Sequence, residues 1–181
     1  MATSSKRSAA RPIFLPLTAC ILTISAVALA DSLNSSDSDF LKKAAKGNLT
    51  EIELGRLAAR KAVNPEVKQF ANRMIRDHSK AYQELKTLAA SKGVDIPKSA
   101  SLSEDASAAH LKMLSGKSFD EAYVKMMVED HKEDVADFQQ ESQSATDPDV
   151  KNFASKTLPV LQSHLDKITQ IQADFNSGGS K

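Results

Sequence analysis

Apolar positions recur every three or four residues along most of the chain, the period of an amphipathic α-helix. Four long stretches share this pattern, and they run over about residues 39–62, 65–92, 118–144 and 148–175. A shorter amphipathic stretch runs over about residues 102–114. The pattern therefore predicts an all-α protein with four long helices and one short helix.

Capping signals mark where these helices should begin and end. Residues at capping-box spacing precede the first and third long helices, at Ser36–Asp39 and Ser118–Glu121. The second and fourth long helices each start with a capping residue, a proline and an acid, at Asn64–Glu66 and Asp147–Asp149. Gly93 is the predicted end of the second helix.

The lengths of the connections predict how the helices pair. A short turn, a link of some twenty-five residues and a second short turn follow one another along the chain. Short turns join antiparallel neighbours, and a long link lets the chain cross a bundle, as in ferritin-like folds. Residues 64–71 and 147–154 are also nearly the same sequence, an internal repeat with an offset of 83 residues. We therefore predict a ferritin-like four-helix bundle of two antiparallel hairpins, with the short helix in the crossover.

Ionisable residues interrupt the apolar stripe of each long helix near its middle. They are Glu51, His78, His131 and His164, one on each helix, and Asp134 lies three residues after His131. Mid-helix positions share one level of a bundle whichever way the helices run. We therefore expect these five side chains to converge and propose them as metal ligands.

Two chemical interpretations of this cluster remain open. Imidazoles with one or two carboxylates in a water-poor bundle suit Fe, Zn, Cu or Mn, whereas Ca²⁺ and Mg²⁺ prefer all-oxygen ligands. Alternatively, the cluster is a buried hydrogen-bond network that fixes helix register. Asp77 and Asp130 directly precede two of the histidines, and adjacent residues do not share a helical face. We therefore expect these aspartates to contact neighbouring helices.

The first thirty residues have the pattern of a secretory signal peptide. A basic segment with Lys6, Arg7 and Arg11 precedes an apolar run that closes at Ala28-Leu29-Ala30, which predicts cleavage after Ala30. The alternative is an uncleaved membrane anchor. Cys20 ends a sequence similar to a lipoprotein box, but apolar residues follow it, so we do not predict lipidation.

Composition and charge of the predicted mature domain, residues 31–181, exclude several functions. It retains 21 Lys and Arg against 23 Asp and Glu, a net charge of −2, which gives no electrostatic basis for binding nucleic acid. It has no cysteine, and it contains no Gly-rich phosphate loop and no Ser/His/Asp arrangement. We therefore do not predict a disulfide, a nucleotide-binding enzyme or a hydrolase.

Several short motifs resemble one exported bacterial family, the domain of unknown function 4142. They are Gly47-x-x-x-Glu51-x-x-Leu54-Gly55, Val67-x-x-Phe70-Ala71, both Asp-His pairs, Phe119-Asp120-x-Ala122-Tyr123 and Leu158-Pro159-x-Leu161-x-x-His164. The resemblance covers about residues 39–175. It implies a ferritin-like fold and a periplasmic or cell-envelope location, but no established activity. Many members carry an outer-membrane label, although the mature sequence has no stretch typical of a membrane-spanning helix.

One departure limits the ferritin analogy. Di-iron bundles use Glu-x-x-His motifs, but the positions three residues before His78 and His164 are Ile75 and Leu161. The repeat offset does align Asp134 with Glu51. We therefore favour a mononuclear or irregular His-rich site, in a protein for metal storage, buffering or oxidative stress. A non-metal envelope stress or interaction module is the alternative, and an oxidoreductase ranks third. Enzymatic activity and any protein partner remain open.

Overall fold

The computed structural model describes Met1, residues 33–100 and residues 106–178, and these described residues form five helices and no strand. The helices are α1 (Ser35–Lys61), α2 (Pro65–Ser91), α3 (Ala106–Met113), α4 (Gly116–Ser144) and α5 (Pro148–Gly178). Three-residue turns join α1 to α2 and α4 to α5, and each of these pairs packs as a hairpin. The long crossover between the hairpins carries α3. The predicted all-α, four-helix fold is confirmed.

The first helix begins earlier than its sequence signal indicated. Asn34 is the N-cap of α1, and its Oδ1 accepts a hydrogen bond from the Asp37 backbone N–H at 2.7 Å. The predicted capping box from Ser36 to Asp39 is therefore wrong. Asp37 instead reaches the turn between α4 and α5, where its carboxylate accepts from the Asp147 backbone N–H at 2.8 Å.

An equivalent aspartate ties the turn at the other end of the bundle. Asp120 on α4 accepts from the backbone N–H groups of Asn64 at 2.7 Å and of Val63 at 3.2 Å. The N-cap of α4 is Ser115, whose side chain makes no capping bond, so the predicted capping box at Ser118–Glu121 is also wrong. In both cases a long-range contact, and not a local cap, fixes the aspartate.

The predicted starts of α2 and α5 and the predicted end of α2 are confirmed. The side chains of Asn64 and Asp147 accept from the first backbone N–H groups of α2 and α5. Gly93 follows the end of α2 with a φ of 68°, a left-handed conformation that favours glycine. Helix α5 runs without interruption through Pro159 and ends at Gly178, three residues beyond the predicted end.

The core consists of two apolar clusters at different heights of the bundle. The rings of Phe40, Phe138 and Phe153 pack against one another within one cluster, at centroid distances of 5.0–6.5 Å. Phe70 and Phe119 belong to the other. The space between the clusters contains the polar residues described below.

Gly55 permits a close approach of α1 to α2. A Cβ atom at this position would lie 3.1 Å from the backbone oxygen of Ala71 and 3.0 Å from Cγ1 of Ile75. Both contacts are tighter than ordinary van der Waals distances. The close approach of the two helices therefore favours glycine at this position.

Part of the sequence prediction lies outside the described residues. The predicted signal peptide of residues 1–30, with Cys20, belongs to this part, and so does the predicted start of the short helix at residues 102–105. Among the helices that are described, none is both long and apolar enough to cross a membrane.

Candidate metal centre

Three histidines from three helices meet between the two core clusters. His78 of α2, His131 of α4 and His164 of α5 are 4%, 0% and 0% exposed. One ring nitrogen of each lies within 4.8 Å of those of the other two. The ring centroids are 5.4–5.8 Å apart. We call these three residues the histidine triad.

An amide holds the first imidazole of the triad. Asn48 on α1 donates from Nδ2 to the backbone oxygen of Ala44 at 2.8 Å, which turns its Oδ1 toward α2. This Oδ1 lies 3.1 Å from Nδ1 of His78. Because an amide oxygen can only accept, His78 carries its proton on Nδ1.

Acceptors of two other kinds hold the remaining imidazoles. Nδ1 of His131 donates to the backbone oxygen of Met127 at 2.9 Å. Nε2 of His164 donates to the Asp77 carboxylate at 2.8 Å, and Arg73 donates to the same oxygen at 3.2 Å. The expectation that Asp77 contacts a neighbouring helix is confirmed. Each ring thus has one N–H group fixed by the protein.

The second nitrogen of each ring is the feature that distinguishes this site. Nε2 of His78, Nε2 of His131 and Nδ1 of His164 are buried and have no hydrogen-bond partner in the part of the chain that the structure describes. When the other nitrogen of a neutral ring carries the proton, this nitrogen is unprotonated and has a free lone pair. A buried acceptor without a partner costs about 1–3 kcal/mol. Three such acceptors on rings that meet form a donor set that fits a cation.

The electrostatics keep the triad neutral. Burial and the neighbouring His164 together lower the pKa of His131 to about 4, although its hydrogen bond to Met127 opposes this. Burial also lowers the pKa of His78 well below its usual value, with additional contributions from the other two imidazoles. The pKa of His164 is lowered by burial, although the hydrogen bond to Asp77 opposes this. Neutral imidazole is the form that binds metals.

The structure places the two predicted carboxylates differently. Neither Glu51 nor Asp134 belongs to the group of potential ligand atoms that lie within 4.8 Å of one another. Both line a groove between α1 and α4, together with Asp130. Burial raises the pKa of Glu51 well above its usual range, and the charges of Asp134 and Asp130 raise it further. Burial and the neighbouring carboxylates also raise the pKa of Asp134, to about 7.

A small cavity adjoins the triad. It has a volume of about 20 Å³, and its lining includes His78, His164, Asn48 and Asp134. A polar cavity of this size holds about one water molecule. The site therefore has room for one small ligand beside the imidazoles.

Asn48 is the residue of this site that the sequence prediction missed. The repeat offset of 83 residues that aligns Glu51 with Asp134 also aligns Asn48 with His131. The sequence did contain a signal for this residue: an amide lies on the apolar stripe of α1, at the repeat position that a histidine occupies in the other hairpin. It indicates that the two hairpins contribute unequal partners to a common site.

Comparisons with known proteins support the fold. The sequence profile of the DUF4142 family, described as a domain of unknown function, matches residues 23–171. No curated protein matches the sequence significantly.

Solved structures of low sequence identity share the architecture. A DUF305 fragment from Deinococcus radiodurans superposes with a TM-score of 0.70 at 12% identity, covering 79% of this chain and 99% of its own. CopM in its Cu(I)-bound form superposes with a TM-score of 0.65 at 19% identity, covering 77% of this chain and 96% of its own. A candidate secreted DUF305 protein from Streptomyces coelicolor superposes with a TM-score of 0.67 at 15% identity, covering 77% of this chain and 91% of its own.

Proposed function

The chain belongs to the DUF4142 family, and we propose that it is an exported protein whose histidine triad binds one transition-metal ion through His78, His131 and His164. The proposal rests on the geometry of the triad. The family supplies no activity on which to base it, because it is described as a domain of unknown function.

The observation that carries the proposal is a set of three buried nitrogens that have no hydrogen-bond partner among the residues that the structure describes. A structural hydrogen-bond network would satisfy the histidines on both sides, because protein interiors pair nearly all their buried polar atoms. The contact between His164 and Asp77 fits such a network, but it leaves Nδ1 of His164 unsatisfied. In each ring, the hydrogen-bond partner fixes the proton on the nitrogen that it contacts, and the other nitrogen stays unprotonated. This arrangement, a ligating imidazole whose other nitrogen donates to an oxygen, is typical of metal-binding histidines.

The donor atoms select among metals. Three neutral imidazole nitrogens suit Zn, Cu, Fe and Ni, and for such donors the affinity of divalent ions is highest for Cu²⁺. CopM has been solved in Cu(I)-, Cu(II)- and Ag-bound forms on a similar fold, which supports testing copper first. Zinc is the second candidate because it forms tetrahedral sites with three histidines and one further ligand.

Binding needs only a modest contraction of the triad. A metal 2.0–2.1 Å from three nitrogens brings these to about 3.3 Å from one another in a tetrahedral arrangement. One ring nitrogen of each histidine already lies within 4.8 Å of those of the other two, and imidazole rings can shift on their side-chain torsions. The cavity of about 20 Å³ beside His78 and His164 offers space for a fourth, exogenous ligand. A metal ion bound to the triad would act as a Lewis acid or a redox centre.

The proposed location is the periplasm or the cell envelope. The proposal rests on the signal-peptide pattern of residues 1–30 and its Ala28-Leu29-Ala30 exit. The similarity in fold to a candidate secreted protein is consistent with export. Expression of the full chain with a phosphatase reporter, followed by fractionation, tests this part. Retention in the cytoplasm would contradict it.

Titration with metal tests the binding itself. The protein, purified without a His tag, is titrated by calorimetry with Cu²⁺ and with Zn²⁺, beside a His78→Ala/His131→Ala double variant. We expect one ion per chain in the wild type and none in the double variant. His110→Ala is the matched control, because His110 is an exposed histidine outside the triad, and this variant should bind one ion. Equal binding by all three proteins would refute the proposal.

A further inference from the structure

An open groove separates α1 from α4 on one side of the bundle. Its volume is about 790 Å³, and α1, α3 and α4 contribute its lining. Five acidic residues and three lysines line it, so its charge is negative on balance. Lys43, one of these lysines, forms an ion pair with Asp137, which offsets its positive charge. The groove is thus an acidic path from solvent into the bundle.

Glu51 occupies the buried part of this groove. Its side chain is 3% exposed, and its Oε2 has no hydrogen-bond partner among residues 33–100 and 106–178. The carboxylate of Asp134 lies within electrostatic range of Glu51, on the opposite helix. A buried carboxyl group without a hydrogen-bond donor is costly in its ionised form, so it stays protonated unless a cation approaches it. This orphan atom points to a ligand that the groove admits.

Two residues connect the groove to the triad. Gly47 and Asp134 line both the outer groove and the small cavity, and the small cavity is in turn lined by His78 and His164. A Cβ atom at Gly47 would meet nothing within 4 Å. The passage between α1 and α4 is therefore open at the position where a side chain would fill it.

We propose that this groove is the entrance through which a transition-metal cation reaches the triad, and that Glu51 and Asp134 bind the cation transiently on the way. The inference rests on the proposed function. It gives the two carboxylates a role distinct from coordination in the final site.

A division of labour between charge and donor atoms explains the arrangement. The three imidazoles are neutral, so they bind a metal through lone pairs and exert little long-range attraction on a cation. Carboxylates attract cations over longer distances, and a cleft in which one sign of charge predominates concentrates ions of the opposite sign and raises their association rate. The acidic groove supplies the attraction that the neutral triad lacks.

Stopped-flow kinetics of Zn²⁺ loading test the entrance. The protein without a His tag is mixed with Zn²⁺ under a fluorescent zinc indicator, and the association and dissociation rate constants are measured together with the stoichiometry. The variants are Glu51→Gln/Asp134→Asn, the charge variant, which removes both groups that can ionise to carboxylates, and Gly47→Leu, which fills the passage. Gly47→Ala is a graded, smaller obstruction. Glu53→Gln is the control, because Glu53 is an acidic residue of α1 that pairs with Arg56 and does not line the groove.

We expect the association rate constant to fall at least tenfold in the charge variant and in Gly47→Leu, and less in Gly47→Ala. The dissociation rate constant should fall in parallel in Gly47→Leu, so that its equilibrium affinity stays within about threefold of wild type. All variants should still bind one ion per chain, which also establishes that they fold.

Three results would overturn the inference, and they differ from a failure of the proposed function. Unchanged association in Gly47→Leu would exclude this passage. Unchanged association in Glu51→Gln/Asp134→Asn would exclude the carboxylates as an entrance site. Faster dissociation with a large loss of affinity in the charge variant would make Glu51 and Asp134 ligands of the bound ion. Absence of Zn²⁺ and Cu²⁺ binding by the wild type would refute the proposed function, and the entrance with it.

Discussion

Asp77 is the residue through which the triad is most sharply tested, because it supports one ligand without being one. Its carboxylate accepts the Nε2–H of His164 at 2.8 Å and is itself held by Arg73 at 3.2 Å. The negative charge fixes the tautomer of His164 and makes its Nδ1 a better electron donor. Asp77→Asn keeps the size of the side chain and removes the charge, so it should weaken metal binding without removing a ligand.

The expected loss follows from the position of Asp77 behind one of three ligands. Changes to such supporting residues reduce metal affinity about 10–100-fold. This corresponds to about 1.4–2.8 kcal/mol of binding free energy, at 1.4 kcal/mol per factor of ten. The loss should fall near the lower end of this range, because the carboxylate is 30% exposed and solvent screens part of its charge.

A competition assay measures this loss. Zn²⁺ is partitioned between the protein and a chromophoric chelator, and the apparent dissociation constant is compared for wild type, Asp77→Asn and Glu53→Gln. Glu53→Gln makes the same chemical change at an exposed ion pair with Arg56, and it should leave the affinity unchanged. An affinity of Asp77→Asn within twofold of wild type, with one ion still bound, would refute the reasoning, because His164 would then not depend on its partner.

Three further predictions concern pH, packing and the turns. Burial lowers the pKa of all three imidazoles, and together with the neighbouring His164 it lowers that of His131 to about 4, so fewer protons compete with the metal than at exposed histidines. Acidification from pH 7.5 to 6 should therefore change the Zn²⁺ affinity, measured by calorimetry, much less than it would at imidazoles with an ordinary pKa. Three exposed imidazoles with a pKa of 6.5 would lose about 50-fold over the same interval, and a loss of that size would contradict the burial argument. Gly55→Ala should lower the free energy of unfolding, measured in urea, by about 1–3 kcal/mol, because its methyl group would crowd the backbone oxygen of Ala71. Helix propensity alone predicts a gain in stability, and such a gain would contradict the close approach of the helices. Asp120→Ala should lower the free energy of unfolding by about 2 kcal/mol, because the backbone N–H of Asn64 loses its acceptor, while the variant still binds one ion. Unchanged stability would show that the turn does not depend on this hydrogen bond.

The sequence predicted the fold because local signals and connection lengths agreed. Helical periodicity, the Asn64 and Asp147 caps and the short-long-short order of connections all indicate two hairpins. The two capping boxes were wrong because both helices begin further upstream, after Asn34 and after Ser115. Asp37 and Asp120, which lie inside the predicted boxes, bind turns more than fifty residues away in sequence, and such long-range contacts leave no local pattern.

The candidate site could be predicted only in part, for a geometric reason. Mid-helix position correctly indicated that the three histidines share a level of the bundle. Residues three apart on a helix share a face, but their directions differ by about 60°. Asp134 follows His131 by three residues, and Glu51 follows Asn48 by three. This rotation is enough to place Asn48 and His131 at the triad and the two carboxylates at the groove, a distinction that needs the packed helix orientations.

The position of a bound metal in a crystal tests the central claim most directly. Crystals of the protein soaked with Zn²⁺ or Cu²⁺ are measured at the absorption edge of the metal, which locates the ion by its anomalous scattering. We predict one strong peak between the rings of the triad, about 2.0–2.1 Å from Nε2 of His78, Nε2 of His131 and Nδ1 of His164. A peak confined to surface residues, or an ordered triad without a peak at saturating metal, would contradict it and make these histidines structural.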